Sequence, residues 1–268
     1  MRSIRFNWIA VFLIHLGFGS YLVNAQGQSL IAHRGGVVDS SYTENGLAAL
    51  KLAVRDGYQM VETDLRVTRD GVLIANHDHD FQRYYGINKR VSDMDWAEIR
   101  KLKSTLDGST PLQLEEVLRF CQANKLGVML DNKIAGMDSV LFGRLIGLLD
   151  KYDLRSGALM IGTDESTDYF TGKIKLSCSR KQLEENMKKP GYHASHYFLF
   201  ERPAALTGED VKWATVHNIL TVAAINKFHY RKSQNMMADA GNDCKRMQEI
   251  GVKNFQIDSE FRKFFVQQ

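Results

Sequence analysis

The sequence predicts an α/β protein built as a TIM (β/α)8 barrel, with a small insertion after the hairpin of its second strand. Three observations predict it. Short apolar strand patterns begin at residues 30, 61, 128, 158, 174, 197, 220 and 255, with helical spacings between them. That alternation implies a parallel sheet with helices outside. Eight such units in about 240 residues match the length of a closed barrel. The runner-up, an open doubly wound sheet, calls for a glycine-rich phosphate loop after the first strand, and His33-Arg34-Gly35-Gly36 lacks that spacing.

The chain has 268 residues, 44% hydrophobic and 25% charged, with a formal charge of +4. The charge is too small and too evenly spread to imply a nucleic-acid partner. Arg2 and Arg5 precede an apolar run from Trp8 to Val23, and Val23-Asn24-Ala25 offers small residues for cleavage before Gln26. Residues 1–25 are expected to be a secretory signal peptide. The run is short for a membrane span and is broken by His15 and glycines, so no stable membrane insertion is expected after cleavage. Residues 26–268 then form a single domain, secreted or periplasmic. It keeps 33 basic and 31 acidic side chains over 243 residues. Three widely spaced cysteines, Cys121, Cys178 and Cys244, do not make a disulfide framework.

The first strand is Leu30-Ile31-Ala32, running into His33-Arg34-Gly35-Gly36. A helix over 46–55 carries Leu47, Leu50 and Val54 at helical spacing and ends at Gly57; Ser41 and Glu44 have the spacing of a capping box at its start. In Val61-Glu62-Thr63-Asp64-Leu65-Arg66-Val67, strand alternation places Glu62, Asp64 and Arg66 on one face. Arg69-Asp70-Gly71 turns the chain into an antiparallel return strand, Val72–Ala75. Residues 80–109 form an inserted excursion with one short helix around Asp95–Lys103. Thr110 as N-cap, Pro111 at N1 and Gln113 at N3 open the next helix. Thereafter strand and helix alternate to the end: strands at 128–130, 158–161, 174–177, 197–200, 220–224 and 255–257, and helices at 139–152, 167–170, 180–187, 208–217 and 233–250.

Active groups of a parallel barrel sit at the carboxyl ends of its strands. Those ends supply His33 and Arg34, then Glu62 and Asp64, then Asn76-His77-Asp78 from the return strand, then Asp131 and Lys133. Two histidines, several acids and two bases converge on one rim. Phosphodiester cleavage needs such a set. Three carboxylates hold a divalent cation, and the cation with Arg34 and Lys133 offsets charge growing on the phosphoryl oxygens. Imidazoles titrate near neutral pH, so one histidine can take a proton from the nucleophile and the other give one to the leaving alkoxide.

His33-Arg34-Gly35, Glu44-Asn45, Glu62-Thr63-Asp64, Asp70-Gly71 and His77-Asp78, in that order and spacing, resemble the glycerophosphodiester phosphodiesterase family. Phe81 and Arg83 stand at the family's positions relative to His77 rather than to His79, and residues 110–118 resemble the helix that closes the family's insertion. The resemblance implies hydrolysis of a small-molecule glycerophosphodiester to glycerol 3-phosphate and an alcohol, with bound Mg2+ or Ca2+. It implies Glu62, Asp64 and Asp131 as metal ligands, His33 and His77 as the acid–base pair, and Arg34 and Lys133 as phosphate-binding residues. The chain departs from the family in places. Asp131-Asn132-Lys133 stands where glutamate, an apolar residue and lysine are usual. Ala223-Ala224-Ile225-Asn226 replaces a Trp-Thr-Val-Asn-like strand end, so Phe228, Tyr230, Tyr84 or Tyr85 is left to supply an aromatic wall. Two alternatives remain at this point. One is a phospholipase-type enzyme on lipid or sugar-phosphate diesters that forms a cyclic phosphate, favoured by an exposed apolar rim. The other is a non-catalytic phosphodiester-binding protein.

Overall fold

The computed structural model describes residues 27–36 and 41–266. The expected signal peptide lies outside the described residues. Eight parallel strands close on one another: β1 (Ser29–Ala32), β2 (Met60–Val67), β3 (Gly127–Asn132), β4 (Leu159–Ile161), β5 (Lys175–Cys178), β6 (Tyr197–Glu201), β7 (Leu220–Ile225) and β8 (Asn254–Ile257). β1 pairs with β2 on one side and β8 on the other, with Ala32 beside both Val61 and Ile257, and this seals the barrel. Helices follow the first seven strands: α1 (Leu47–Arg55), α2 (Leu114–Ala123), α3 (Ser139–Lys151), α4 (Thr167–Phe170), α5 (Arg180–Asn186), α6 (Gly208–Val216) and α7 (Met236–Glu249).

The pleat sorts side chains into two cores. Ile31, Met129, Leu159, Phe198 and Val222 fill the barrel interior. A larger cluster lies between strands and helices, including Val61, Leu65, Val128, Leu130 and Phe142. Because Glu62 pairs in register with Met129, an interior residue, the odd-numbered apolar residues of β2 face the helices and its acids face the barrel axis.

The insertion differs in detail from the sequence expectation. The return strand is Leu73–Ala75, antiparallel to β2 as expected, and it pairs in turn with a short strand, Leu112–Gln113. Pairing of Leu112–Gln113 displaces Thr110 from the N-cap role. Gln113 caps α2 instead, in a box with Glu116. Between these strands lie an unanticipated hairpin, Asp80–Phe81 with Ile87–Arg90, and a helix shortened to Trp96–Ile99, capped by Asp95 and Glu98. Ile74, Phe81, Val91, Met94 and Ile99 give this excursion its own small core, with Tyr85 and Trp96 packed against it. Cys121, Cys178 and Cys244 are free and buried. Among the described residues, no helix is long and apolar enough to cross a membrane.

Candidate active site at the carboxyl end of the barrel

β1 ends in a tight turn whose backbone sets the site. Arg34 adopts left-handed φ/ψ (53°, 43°), a strained choice for a non-glycine residue that the surroundings must hold in place. Gly36 follows at φ +134°, where an added Cβ would sit 2.6 Å from the Ala49 carbonyl oxygen. Two glycines thus let the turn press against α1. Asn45 closes the contact by donating its backbone N–H to the Arg34 carbonyl at 2.7 Å.

Glu62 and Asp64 are each about 1% exposed, and Asp131 lies directly across the ladder from Asp64. One oxygen from each of the three carboxylates falls within 4.8 Å of the others. Glu62 Oε2 accepts the Arg34 backbone N–H at 2.7 Å, but its buried Oε1 has no partner. Burial first, then the charges of Asp64 and Asp131, drive the Glu62 carboxyl well above the usual carboxylate range. Three crowded acids with an orphaned buried oxygen suit a hard divalent cation. Asp131 therefore reaches the trio despite its shorter side chain. The Lys133 ammonium contacts it at 2.6 Å and Asp64 at 3.2 Å.

Each histidine is held at Nδ1 by a carboxylate. His33 Nδ1 lies 2.6 Å from Asp258 Oδ1, leaving Nε2 3.9 Å from Glu62 Oε2. Burial alone would raise the Asp258 carboxyl, but hydrogen bonding and charge from His33, with the Lys227 backbone N–H, hold it below its ordinary range. Asp258 stays ionised, so Nδ1 of His33 is the protonated nitrogen. His77 Nδ1 lies 2.8 Å from Asp78, and its Nε2 lies 2.8 Å from an Arg34 terminal nitrogen. A guanidinium only donates, so Nε2 of His77 accepts and Nδ1–H donates to Asp78. His79, the rival histidine, is 67% exposed, with Nε2 3.2 Å from Asp80.

Several positioning groups escaped the sequence reading. Glu44 is not a helix cap, since Gly46 precedes α1 without a side-chain cap. Glu44 is buried and binds both Arg34 (3.0 Å) and Arg83. Arg83 also grips both oxygens of Asp78, at 2.6 and 3.0 Å. Glu44, His77 and Asp78 lie close enough for a cation, but two guanidiniums already supply that charge. Asn45 donates to Asp64 Oδ2 at 2.9 Å and accepts from Thr63 at 2.7 Å, which fixes the Asp64 rotamer. Arg66 donates twice to the His77 carbonyl, at 3.0 and 2.7 Å. Asp258 enters through strand register: the pairing of Ala32 with Ile257 puts the residue after β8 beside the residue after β1.

The Asp78 network carries a pH signature. Burial opposes ionisation of Asp78, yet the hydrogen bonds from His77 and Arg83 outweigh it and hold the carboxyl far below its ordinary range. A depressed acid contributes stability above its unfolded value, near pH 4, and loses it as pH falls further. Asp78→Asn should therefore flatten the acid limb of a melting-temperature profile below about pH 4, leaving it unchanged in shape at neutrality. An acid limb as steep as the parent's would show that this pair does not hold the insertion to the barrel.

The fold is thus a (β/α)8 barrel that gathers an acidic trio, two carboxylate-held histidines and a half-buried arginine at its carboxyl mouth, where the active groups of such barrels sit. The chain matches, over residues 33–141, the family described as "Glycerophosphoryl diester phosphodiesterase family". It is 35% identical over 79 residues to human lysophospholipase D GDPD1, covering 30% of this chain and 24% of that protein. It is 34% identical over 92 residues to a probable glycerophosphodiester phosphodiesterase 2 of Mycobacterium tuberculosis, covering 34% of each. The matched segments span about a quarter to a third of those curated relatives. Solved structures share the fold over nearly the whole chain. A glycerophosphoryl diester phosphodiesterase from Parabacteroides distasonis superposes with TM-score 0.71 at 19% identity, covering 89% of this chain and 86% of that one. An Oleispira antarctica phosphodiesterase in complex with the product sn-glycerol-3-phosphate gives 0.69 at 17% identity, covering 88% and 96%.

Proposed function

We propose that the protein hydrolyses glycerophosphodiesters to glycerol 3-phosphate and an alcohol, dependent on a divalent cation such as Mg2+ or Ca2+. The observation that carries this reading is the gathering of the Glu62, Asp64 and Asp131 trio with two histidines, each held at Nδ1 by a carboxylate, His33 Nε2 lying 3.9 Å from Glu62 and His77 Nε2 accepting from Arg34. The family match and the product named in the Oleispira complex support it. A cation bound by the trio would supply Lewis-acid stabilisation of phosphoryl charge. Arg34 offers the phosphate a guanidinium oriented by Glu44, and Lys133 a second positive charge. His33 and His77 divide the proton work. One Nε2 accepts the proton of the attacking water, and the other donates to the departing alkoxide, each imidazole braced by its carboxylate. Export through residues 1–25 is part of the proposal, resting on their charge and apolar pattern.

The lipid-surface alternative draws no support from the insertion. Phe81, Tyr85 and Trp96 pack into its own core, and Tyr84 lies beneath the Arg83 guanidinium at 4.5 Å. Tyr230 is likewise turned inward, donating its hydroxyl to Asp243 at 2.9 Å. Of the candidate wall residues, Phe228 alone is well exposed, at 61%.

The test is release of glycerol 3-phosphate from glycerophosphocholine and related diesters by the purified protein. EDTA should stop it and added Mg2+ or Ca2+ restore it. His33→Ala and His77→Ala should each lower kcat by about 10²–10⁴-fold. Full metal-dependent turnover in either variant overturns the assignment of roles, and phosphorus NMR showing a cyclic product would favour the lipid-type chemistry.

A further inference from the structure

We infer that a basic cavity beside the trio is a second anion subsite, which takes a carboxylate or phosphate carried on the alcohol arm of the diester. The inference rests on the proposed hydrolysis and names the class of alcohol the site favours.

The cavity has a volume of about 500 Å3 and lies between the end of β2, the hairpin of the insertion and the loop after β3. Arg66, His79, Arg90 and Lys133 line it, and among the described residues no aspartate or glutamate does. Buried Val91 and Ile134 give it an apolar lining. Its walls are fastened to the fold. The Val91 backbone N–H donates to the His79 carbonyl at 2.9 Å, and the Lys133 backbone N–H to the Leu65 carbonyl at 3.1 Å. Arg66 stands two residues beyond Asp64 on the same face of β2. Its Nε and one terminal nitrogen bind the His77 carbonyl, while the other terminal nitrogen has no hydrogen-bond partner among the described residues. Arg90 ends the strand Ile87–Arg90 with its side chain exposed. That guanidinium has no ion pair among the described residues.

Lys133 joins the cavity to the reacting groups, because it lines the cavity and also touches Asp131 at 2.6 Å and Asp64 at 3.2 Å. A phosphoryl group held at the trio therefore has this cavity as its neighbour. Lys133 and His79 each have a carboxylate beside them, Asp131 and Asp80. Arg66 and Arg90 have none paired with them among the described residues, so the surplus positive charge comes from two arginines. Guanidinium groups only donate and keep their charge at any working pH. A choline or ethanolamine head would meet like charge there, and a neutral alcohol would leave that charge unanswered. A carboxylate or phosphate accepts from several such donors at once, and the apolar lining strengthens the attraction.

Calorimetric binding of 3-phosphooxypropanoate and of propyl phosphate to the Mg2+-supplemented protein tests this. The two ligands share the phosphoryl group and the length of the arm, differ in a terminal carboxylate, and are not diesters. The parent protein should bind the carboxylate ligand about tenfold more tightly. Arg90→Gln should cut that preference to about threefold or less, and Arg90→Glu should abolish it. Equal affinities in the parent, or an undiminished preference in Arg90→Glu, overturn the subsite. Should Arg90→Glu fail to fold, salt decides on the parent protein: NaCl at about 0.5 M should erase most of the preference, and a preference that survives opposes the subsite. Turnover is read separately, on glycerophosphodiesters of 3-hydroxypropanoate, propanol and 3-aminopropanol. Their kcat/KM should fall in that order, and equal values overturn the assigned class of alcohol. A protein that shows the binding preference but cleaves no diester refutes the proposed hydrolysis and leaves the anion subsite standing.

Discussion

Glu62→Gln should yield a protein that is more stable and nearly inactive. In the parent, the Glu62 carboxylate is fully buried, one oxygen has no partner, and Asp64 and Asp131 crowd it. Its pKa is driven well up by burial and then by those two charges. Keeping it ionised at neutral pH therefore costs folding energy, recovered only when a cation occupies the trio. Glutamine is nearly isosteric, and its amide oxygen can still accept the Arg34 backbone N–H that now meets Glu62 Oε2. In EDTA at pH 7 the variant should melt above the parent, by roughly 1–2 kcal/mol. The sign follows from linkage: a raised acid destabilises the fold where the unfolded chain is ionised, so the gain should vanish below about pH 4. Added Mg2+ or Ca2+ should reverse the order. A ligand present at 100 times its Kd adds about 2.7 kcal/mol to the parent, and the variant should gain far less. Turnover should fall about 10²–10³-fold. Scanning calorimetry with and without the cation checks all three. A variant that melts below the parent in EDTA, or that keeps the parent's cation-dependent shift, would refute the view of the trio as a strained cation cage.

The same comparison shows what was legible in the sequence. Glu62, Asp64, Asp131, His33, His77, Arg34 and Lys133 could all be placed because strand alternation and parallel order act at short range. Two residues apart on a strand means one face, and the end of each strand means one rim. What was hidden depends on contacts the chain makes at long range or through loops. Asn45 orients Asp64 only because the two-glycine turn after β1 lets the loop ahead of α1 fold across β2. Glu44 had the spacing of a helix cap, and local propensity favoured that reading. Two guanidiniums, one of them from the insertion 39 residues on, compete for it and prevail. Thr110 lost its capping role to a strand pairing with Ile74–Ala75 that no local pattern announces. Register with a distant partner decides such cases.

Asp258 is the most consequential of the hidden residues, and Asp258→Asn should lower kcat by about 10³–10⁴-fold with little change in KM. The estimate follows the cost of replacing a histidine-orienting aspartate by asparagine in serine proteases. Here Asp258 accepts two hydrogen bonds at once, His33 Nδ1–H at 2.6 Å and the Lys227 backbone N–H at 2.6 Å. Asparagine has one acceptor atom. If its oxygen serves Lys227, its amide N–H₂ faces His33 Nδ1, and the ring must carry its proton on Nε2 instead. That is the nitrogen aimed at the trio, 3.9 Å from Glu62. The imidazole then holds the wrong tautomer for the proposed role of base, and lacks the anion that would stabilise its charged form in the proposed role of acid. If the amide flips, the Lys227 donor is orphaned and the turn carrying Asn226 loosens, costing about 1–3 kcal/mol of stability. Both outcomes are measurable together. Steady-state kinetics should report the kcat loss, and the pH profile of kcat should change shape, a change that mere loosening would not produce. Glutamate at the same position is acceptor-only and should recover part of kcat if orientation and charge are the cause. A variant asparagine enzyme with an unchanged pH profile, differing from the parent only in melting temperature, would reduce Asp258 to a latch between the last strand and the first.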